Sequence, residues 1–135
     1  MEEFLYPGAV VSFSRVVAPT DLAHFDQQQV HDVYATFALT RDAEWTTRQF
    51  ILPYLGQQRE GIGTYVEVKH LSPAFLGDLV TFRASIVSFH AMELHCLFEA
   101  FVGERKVAEG KTGQKILEKQ FLLDYFKKIK QQGHV

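Results

Sequence analysis

The change of hydrophobic period along the chain is the feature that most restricts its fold. The segment from Ala35 to Leu55 has no glycine and is rich in apolar residues, and its one proline, Pro53, stands near its end. This pattern predicts a helix of about four to five turns that ends near the proline. From Ile62 onward, apolar residues recur at every second position, which is the period of strands. A long apolar helix followed by an antiparallel meander predicts an α+β protein, in which a curved sheet wraps around the helix.

Short polar turns separate the predicted strands. His90-Ala91 and Gly103-Glu104-Arg105 are typical of hairpin turns. The stretch from Asp21 to Val33 has little apolar content and predicts a loop or a short helix. With a last helix, the element order is β–α–β–β–β–β–α. The predicted strands are Gly8–Ala18, Ile62–His70, Leu79–Phe89, Met92–Val102 and Lys106–Leu117.

The C-terminal segment Glu118–Gln132 carries apolar residues at helical spacing. Lysines cluster near its end, where cations stabilise the helix dipole. An amphipathic helix of this kind either lies on a membrane or packs against protein. We expect its apolar face to pack against the sheet.

Composition excludes several classes of protein. The 135 residues fit a single domain, residues 1–135, and 14 basic against 16 acidic side chains give a net charge of −2, without the basic excess of nucleic-acid-binding proteins. No apolar run approaches the roughly 20 residues of a membrane span. The single Cys96 excludes an internal disulfide, and we expect an inert buried thiol. No metal-binding motif and no signal peptide are visible, so we expect a cytoplasmic protein without a metal.

Three polar residues are candidates for chemistry, and each has a structural alternative. Thr36 is either the N-cap of the helix or a hydroxyl near the positive end of its dipole. Glu44 is either a desolvated carboxylate or a solvent-facing partner of Arg41 or Arg48. His70 is either a hydrogen-bonded core residue or an acid/base group. Thr36 and Glu44 are separated by about 12 Å if one regular helix holds both.

These residues occur in segments that resemble a known family. Tyr34-Ala35-Thr36, Glu44 in the helix, and the run from Gly61 to Leu71, which includes His70, are similar to the fluoroacetyl-CoA thioesterase-like family of hot-dog proteins. That family carries a Thr or Ser, a Glu eight residues later and a His 26 residues after the Glu, and Thr36, Glu44 and His70 keep both spacings. The resemblance covers nearly the whole chain.

The resemblance implies a hot-dog fold and hydrolysis of a small acyl-CoA thioester by a homodimer or higher homo-oligomer, with sites near the subunit interface. Coenzyme A is then part of the substrate, and no separate cofactor is implied. Thr36, Glu44 and His70 are implied to be catalytic and to meet in one cavity.

Three further positions are expected to bind substrate: Gly63, Gln114 and Val30. Gln114 stands where the fluoroacetyl-CoA enzyme has an arginine, and Gln27 and Val30 stand where it has gating aromatic residues. These differences argue against selectivity for fluoroacetyl-CoA.

Two other functions remain open from the sequence. The first is a non-catalytic protein of the same fold that binds acyl-CoA or another small ligand, since a fold does not determine a function. The second is a hydratase or dehydratase acting on enoyl-CoA or hydroxyacyl-CoA, for which Asp42 and His31 are a poor match to the required pair.

Overall fold

A computed structural model describes residues 3–25 and 28–133, without the side chains of residues 29 and 30. The helices are α1 (Thr36–Arg48), the short α2 (Leu52–Leu55) and α3 (Lys119–Gln132), and a 3-10 turn spans Pro19–Asp21. The strands are β1 (Val10–Val16), β2 (Leu22–Phe25), β3 (Gln28–Tyr34), β4 (Arg59–His70), β5 (Leu79–His90), β6 (Glu93–Val102) and β7 (Arg105–Glu118).

Five of these strands form one antiparallel sheet in the order β1-β5-β6-β7-β4. Helix α1 lies against one face of it, with Ala38, Leu39 and Ala43 all at most 1% exposed. They pack in one cluster with Phe82 of β5 and Phe98 of β6. Burial of this apolar stripe is the main force that holds the helix in the curve of the sheet. The predicted α+β architecture is confirmed.

Two predictions about local structure are wrong. The stretch Asp21–Val33, expected to be a loop or a short helix, begins at the last residue of the 3-10 turn and contains most of the paired strands β2 and β3. The helix expected over Ala35–Leu55 ends at Arg48, because the chain turns at Gln49 to Ile51 before α2 begins. Pro53 lies in the first turn of α2, where a proline costs no hydrogen bond, rather than at the end of the long helix.

Strand β4 is an edge of the sheet and is poorly covered. It pairs only with β7, and its residues from Gly63 to Glu67 are all exposed. The exposed fractions of Tyr65 and Val66 are 51% and 39%. A strand edge with exposed apolar side chains is suited to pairing with a second chain.

Helix α3 leaves the end of β7 and has little contact with the rest of the described chain. Of its residues, Leu122 alone is buried. The prediction that its apolar face packs against the sheet is therefore wrong for most of that face. Within the described ranges, no helix is both long and apolar enough to span a bilayer.

Candidate functional site

The first part of the candidate site lies where α1 begins and β4 ends. Thr36 is the first residue of α1 and His70 is the last residue of β4. The Thr36 Oγ1 and His70 Nε2 atoms are 2.9 Å apart, which is a hydrogen-bond distance. Ala35 rather than Thr36 is the N-cap, and no side chain caps the helix, so the Thr36 hydroxyl is free of that role.

Thr36 and His70 line a cavity of about 730 Å³ whose other walls are mostly apolar. This size is within the range of small-molecule sites. Phe37 forms part of the wall, and the His24 ring meets it edge-on with 5.3 Å between ring centroids. The cavity therefore offers an apolar space directly beside a hydroxyl and an imidazole.

A buried polar network holds the start of α1 in place. Asp42 is fully buried and forms ion pairs with Arg15 Nε at 2.8 Å and Arg41 Nε at 3.0 Å. The Tyr34 hydroxyl donates a short hydrogen bond to Asp42, and Arg41 also reaches Asp21 at 2.9 Å. Burial, and next the hydrogen bond to Asp42, raise the pKa of Tyr34 far above its usual value. The network links the residues just before Thr36 to the middle of the helix.

The second part of the candidate site surrounds Glu44. Glu44 lies on the exposed side of α1, at a cavity of about 360 Å³ that Gly63 and Gln114 also line. A Cβ atom at Gly63 would lie 3.0 Å from Glu44 Oε2, so any side chain there would crowd the carboxylate.

The solvent-facing alternative describes Glu44 in part. Glu44 is exposed rather than desolvated in the core, but it pairs with neither neighbouring arginine. Arg41 binds Asp21 and Asp42, while Arg48 binds Glu60 at 2.9 Å. Among the described residues, no side chain forms an ion pair or hydrogen bond with the Glu44 carboxylate. A carboxylate at a cavity mouth without a partner is available to a ligand or to a second chain.

Gln114 forms part of the floor of this second cavity. It is 6% exposed, and its Nε2 donates to the Thr47 carbonyl oxygen at 3.0 Å. The Thr112 hydroxyl donates to the Thr47 hydroxyl at 2.9 Å. These bonds attach the turn of α1 that follows Glu44 to β7 and fix one side of the cavity.

Within one chain, the three predicted catalytic residues do not line one cavity. Thr36 contacts His70, whereas Glu44 lines the other cavity with Gly63 and Gln114. Both Thr36 and Glu44 belong to α1, so the helical rise separates them by about 12 Å along its axis.

Two positions compared with gating aromatic residues lie outside the described part of the chain: Gln27 and the side chain of Val30.

Among the residues that the structure describes, no group of three or more His, Cys, Asp or Glu is placed to hold a metal ion. Cys96 is buried, and burial raises the pKa of its thiol to about 12, as an inert thiol requires.

Sequence reasoning missed the polar network, because it weighed Asp42 only as a hydratase residue. The spacing of Ala38, Asp42 and Thr46 places Asp42 on the apolar stripe of the helix, and an acidic residue there must have partners. It also missed the aromatic wall at Phe37, whose position directly after Thr36 was the available signal.

Comparisons with known proteins identify the family of the chain. The sequence model of the fluoroacetyl-CoA-specific thioesterase family matches residues 17–120, more than half of the chain. No curated protein sequence matches this chain.

Three solved structures show the extent of the similarity. A Thermus thermophilus hypothetical protein, described as a thioesterase superfamily member, is 31% identical over 96% of both chains, with a TM-score of 0.89. A hot-dog-like protein from Thermanaerovibrio acidaminovorans is 19% identical over 94% of both chains, with a TM-score of 0.85. A variant of the fluoroacetyl-CoA-specific thioesterase bound to fluoroacetate and CoA is 20% identical, with a TM-score of 0.80. The match covers 87% of this chain and 98% of that one. The chain therefore has the hot-dog fold and belongs to the fluoroacetyl-CoA-specific thioesterase family.

Proposed function

We propose that the protein hydrolyses a small acyl-CoA thioester, with Thr36, Glu44 and His70 as its catalytic residues. The observation that carries the proposal is the 2.9 Å contact between Thr36 and His70 at the edge of an apolar cavity. A hydroxyl and an imidazole beside a space for an acyl group suit acyl transfer to water. Family membership supports thioester hydrolysis.

We propose a homodimer in which each site takes residues from both copies. Glu44 of one protomer then faces the Thr36–His70 pair of its partner, because no bend of α1 brings the two parts together within one chain. The exposed edge of β4 supplies a surface for this contact. Two identical sites follow from the two-fold symmetry of such a dimer.

The chemistry needs an oxygen nucleophile and a proton for the leaving sulfur. The Glu44 carboxylate either removes a proton from an attacking water or attacks the carbonyl carbon itself and forms an anhydride that water then opens. In both routes the C–S bond breaks, the acyl group leaves as a carboxylate, and the sulfur leaves as the CoA thiol. His70 transfers the proton to sulfur, and Thr36 orients the imidazole. Backbone N–H groups at the start of α1 stabilise the oxyanion.

Two substrate-binding roles complete the proposal. The missing side chain at Gly63 leaves room for the thioester beside Glu44. Gln114 contributes an uncharged amide to the floor of the cavity, and we expect no preference for fluoroacetyl-CoA over acetyl-CoA.

A thiol-release assay over short, branched, aromatic and long acyl-CoA esters tests the proposal. Glu44→Gln and His70→Ala are each expected to lower kcat/KM by at least about 10²-fold, as is typical for the loss of one acid/base group. Glu104→Gln makes the same change in the exposed turn between β6 and β7 and is expected to leave the rate unchanged. A wild-type protein that leaves the whole panel intact would contradict the assignment.

Mixing two inactive variants tests the shared site. If Glu44 and His70 of each site come from different protomers, a dimer of one Glu44→Gln and one His70→Ala chain keeps one intact site. An equal mixture of the two variants, allowed to exchange subunits, should then recover about a quarter of the wild-type activity. No recovery, with exchange shown by mass spectrometry, would place both residues of each site in one chain.

A second candidate function is binding of acyl-CoA without turnover. The separation of Glu44 from the Thr36–His70 pair within one chain favours it. Calorimetry with a non-hydrolysable thioether analogue of acyl-CoA, run beside the thiol-release assay, separates the two functions: binding without thiol release supports this one.

A further inference from the structure

Helix α3 presents an apolar face that the described chain leaves uncovered. Helical spacing places Phe121, Leu122, Tyr125, Phe126 and Ile129 on one side of the helix. Only Leu122 is buried, and the other four are 57%, 50%, 41% and 45% exposed, in the order of the chain. We call these five residues the α3 stripe.

The area of the stripe matches the largest apolar patch of a typical monomer, and such patches are often functional. Aromatic side chains bury about 150–250 Å² each when fully covered, so the exposed parts of these four residues amount to about 400 Å². Contiguous apolar patches of this size mark interaction sites. A helix of 14 residues with few tertiary contacts is also marginal on its own, so a stable α3 needs a partner surface.

A lipid surface is the alternative partner for this helix. Lys119, Lys127, Lys128 and Lys130 make the helix basic, and an anionic bilayer attracts such a segment locally even though the chain as a whole carries −2. A bilayer would leave unused the apolar groove at the base of the helix, which Phe121 also lines, whereas a second helix can fill it.

We propose that the α3 stripe binds the α3 stripe of a second copy, with the two helices antiparallel. Two stripes together cover about 800 Å² of apolar area, and the stems of the flanking lysines extend this to the roughly 1,000 Å² that a specific interface requires. This contact uses none of the residues that line the two candidate cavities, so it is independent of the proposed function.

Electrostatics selects the antiparallel arrangement. The lysines lie mainly in the second half of α3, whereas Glu118 precedes its first residue, is 61% exposed and pairs only loosely with Arg59, at 3.7 Å. Antiparallel helices place Lys128 and Lys130 of one copy near Glu118 of the other and oppose the two helix dipoles. Parallel helices would bring the lysine clusters together.

The base of the helix offers a place for the far end of the partner. An apolar groove of about 330 Å³ lies there, lined by Met92, Ile116, Leu117 and Phe121 among others. Phe121 and Ile129 are eight positions apart, about 12 Å along the helix, so antiparallel pairing brings Ile129 of one copy close to this groove in the other.

Sedimentation velocity of the full chain tests the interface. Tyr125→Glu combined with Ile129→Glu places two charges in the stripe, and Gln131→Glu adds one charge on the opposite side of the helix as the control. We expect the double variant to lose the association step that the two α3 stripes mediate. The dissociation constant of that step should rise at least about 10²-fold, because large apolar side chains are no longer buried. The control should sediment like the wild type.

A double variant that associates like the wild type would overturn the proposal. If the wild type also binds phosphatidylcholine–phosphatidylserine vesicles and that variant does not, the stripe is assigned to a membrane. Circular dichroism checks that the variant retains its fold, and a second pair of variants covers the case in which it does not. Lys128→Glu alone should weaken association, and added Glu118→Lys should restore it. Absence of restoration would exclude the antiparallel contact.

Discussion

Helices α1 and α3 have almost the same length, 13 and 14 residues, yet they relate to the rest of the chain in opposite ways. Helix α1 buries six residues, of which Asp42, Thr46 and Thr47 are polar. Helix α3 buries one residue and exposes most of its aromatic side chains. Amphipathic spacing therefore predicts a helix in both cases without telling which surface covers it.

The difference lies in where the polar groups find partners. Around α1, each buried polar side chain has a partner: Asp42 pairs with two arginines, and Thr47 binds Thr112. In α3, polar contacts are local, as between Gln120 and Asp124 at 3.0 Å. Buried polar bonds fix the orientation of a helix, which suits α1, since the proposed site needs Thr36 and Glu44 at set positions. An exposed apolar stripe suits association instead.

Replacing a matched aspartate in each helix gives the largest expected difference. Asp42→Asn removes the charge between Arg15 and Arg41 and should lower the free energy of unfolding by about 1.5–3 kcal/mol, since it weakens charge-assisted hydrogen bonds to a fully buried side chain while the two arginines, 39% and 47% exposed, still reach solvent. Asp124→Asn makes the same change on an exposed part of α3 and should alter it by less than about 0.5 kcal/mol. Urea denaturation at pH 7 measures both, and equal effects would contradict the contrast between the helices.

Much of the fold was predictable because the periods are strong. The alternating strands after Ile62 and the helical spacing after Glu118 predicted elements close to those observed. The β2–β3 pair was missed because β2 has only four residues, β3 is largely polar, the pairing has register shifts at Ala23, and the pair lies outside the main sheet. Its stability comes from its surroundings, including a bridge from Val33 to Phe75, which no local pattern reveals.

The candidate site was predictable in its residues but not in its arrangement. Thr36, Glu44 and His70 were identified through a family resemblance and its spacing. The contact of Thr36 with His70 joins residues 34 positions apart and depends on where β4 ends relative to α1. The separate cavity at Glu44 depends on Gly63 and Gln114, which lie on strands β4 and β7, far from α1 in the sequence. Such distances belong to tertiary packing and have no signature in a single sequence.

The smallest expected effect concerns the end of α1, where its attachment to β4 is exposed rather than buried. Arg48 lowers the pKa of Glu60 below its usual value, chiefly through their hydrogen bond. A carboxylate with a lowered folded-state pKa stabilises the fold above its unfolded-state pKa, and this contribution is lost as the pH falls through the folded-state value. Unfolding free energy should therefore fall from about pH 5 toward pH 3 a little more steeply in the wild type than in Glu60→Gln. Because Glu60 is 37% exposed, solvent screening should keep the difference well under about 1 kcal/mol.

Glu109→Gln, at a carboxylate 3.5 Å from Lys106, serves as the exposed control for this measurement. A Glu60→Gln effect as large as that of Asp42→Asn would show that α1 is held as firmly at its exposed end as at its buried one.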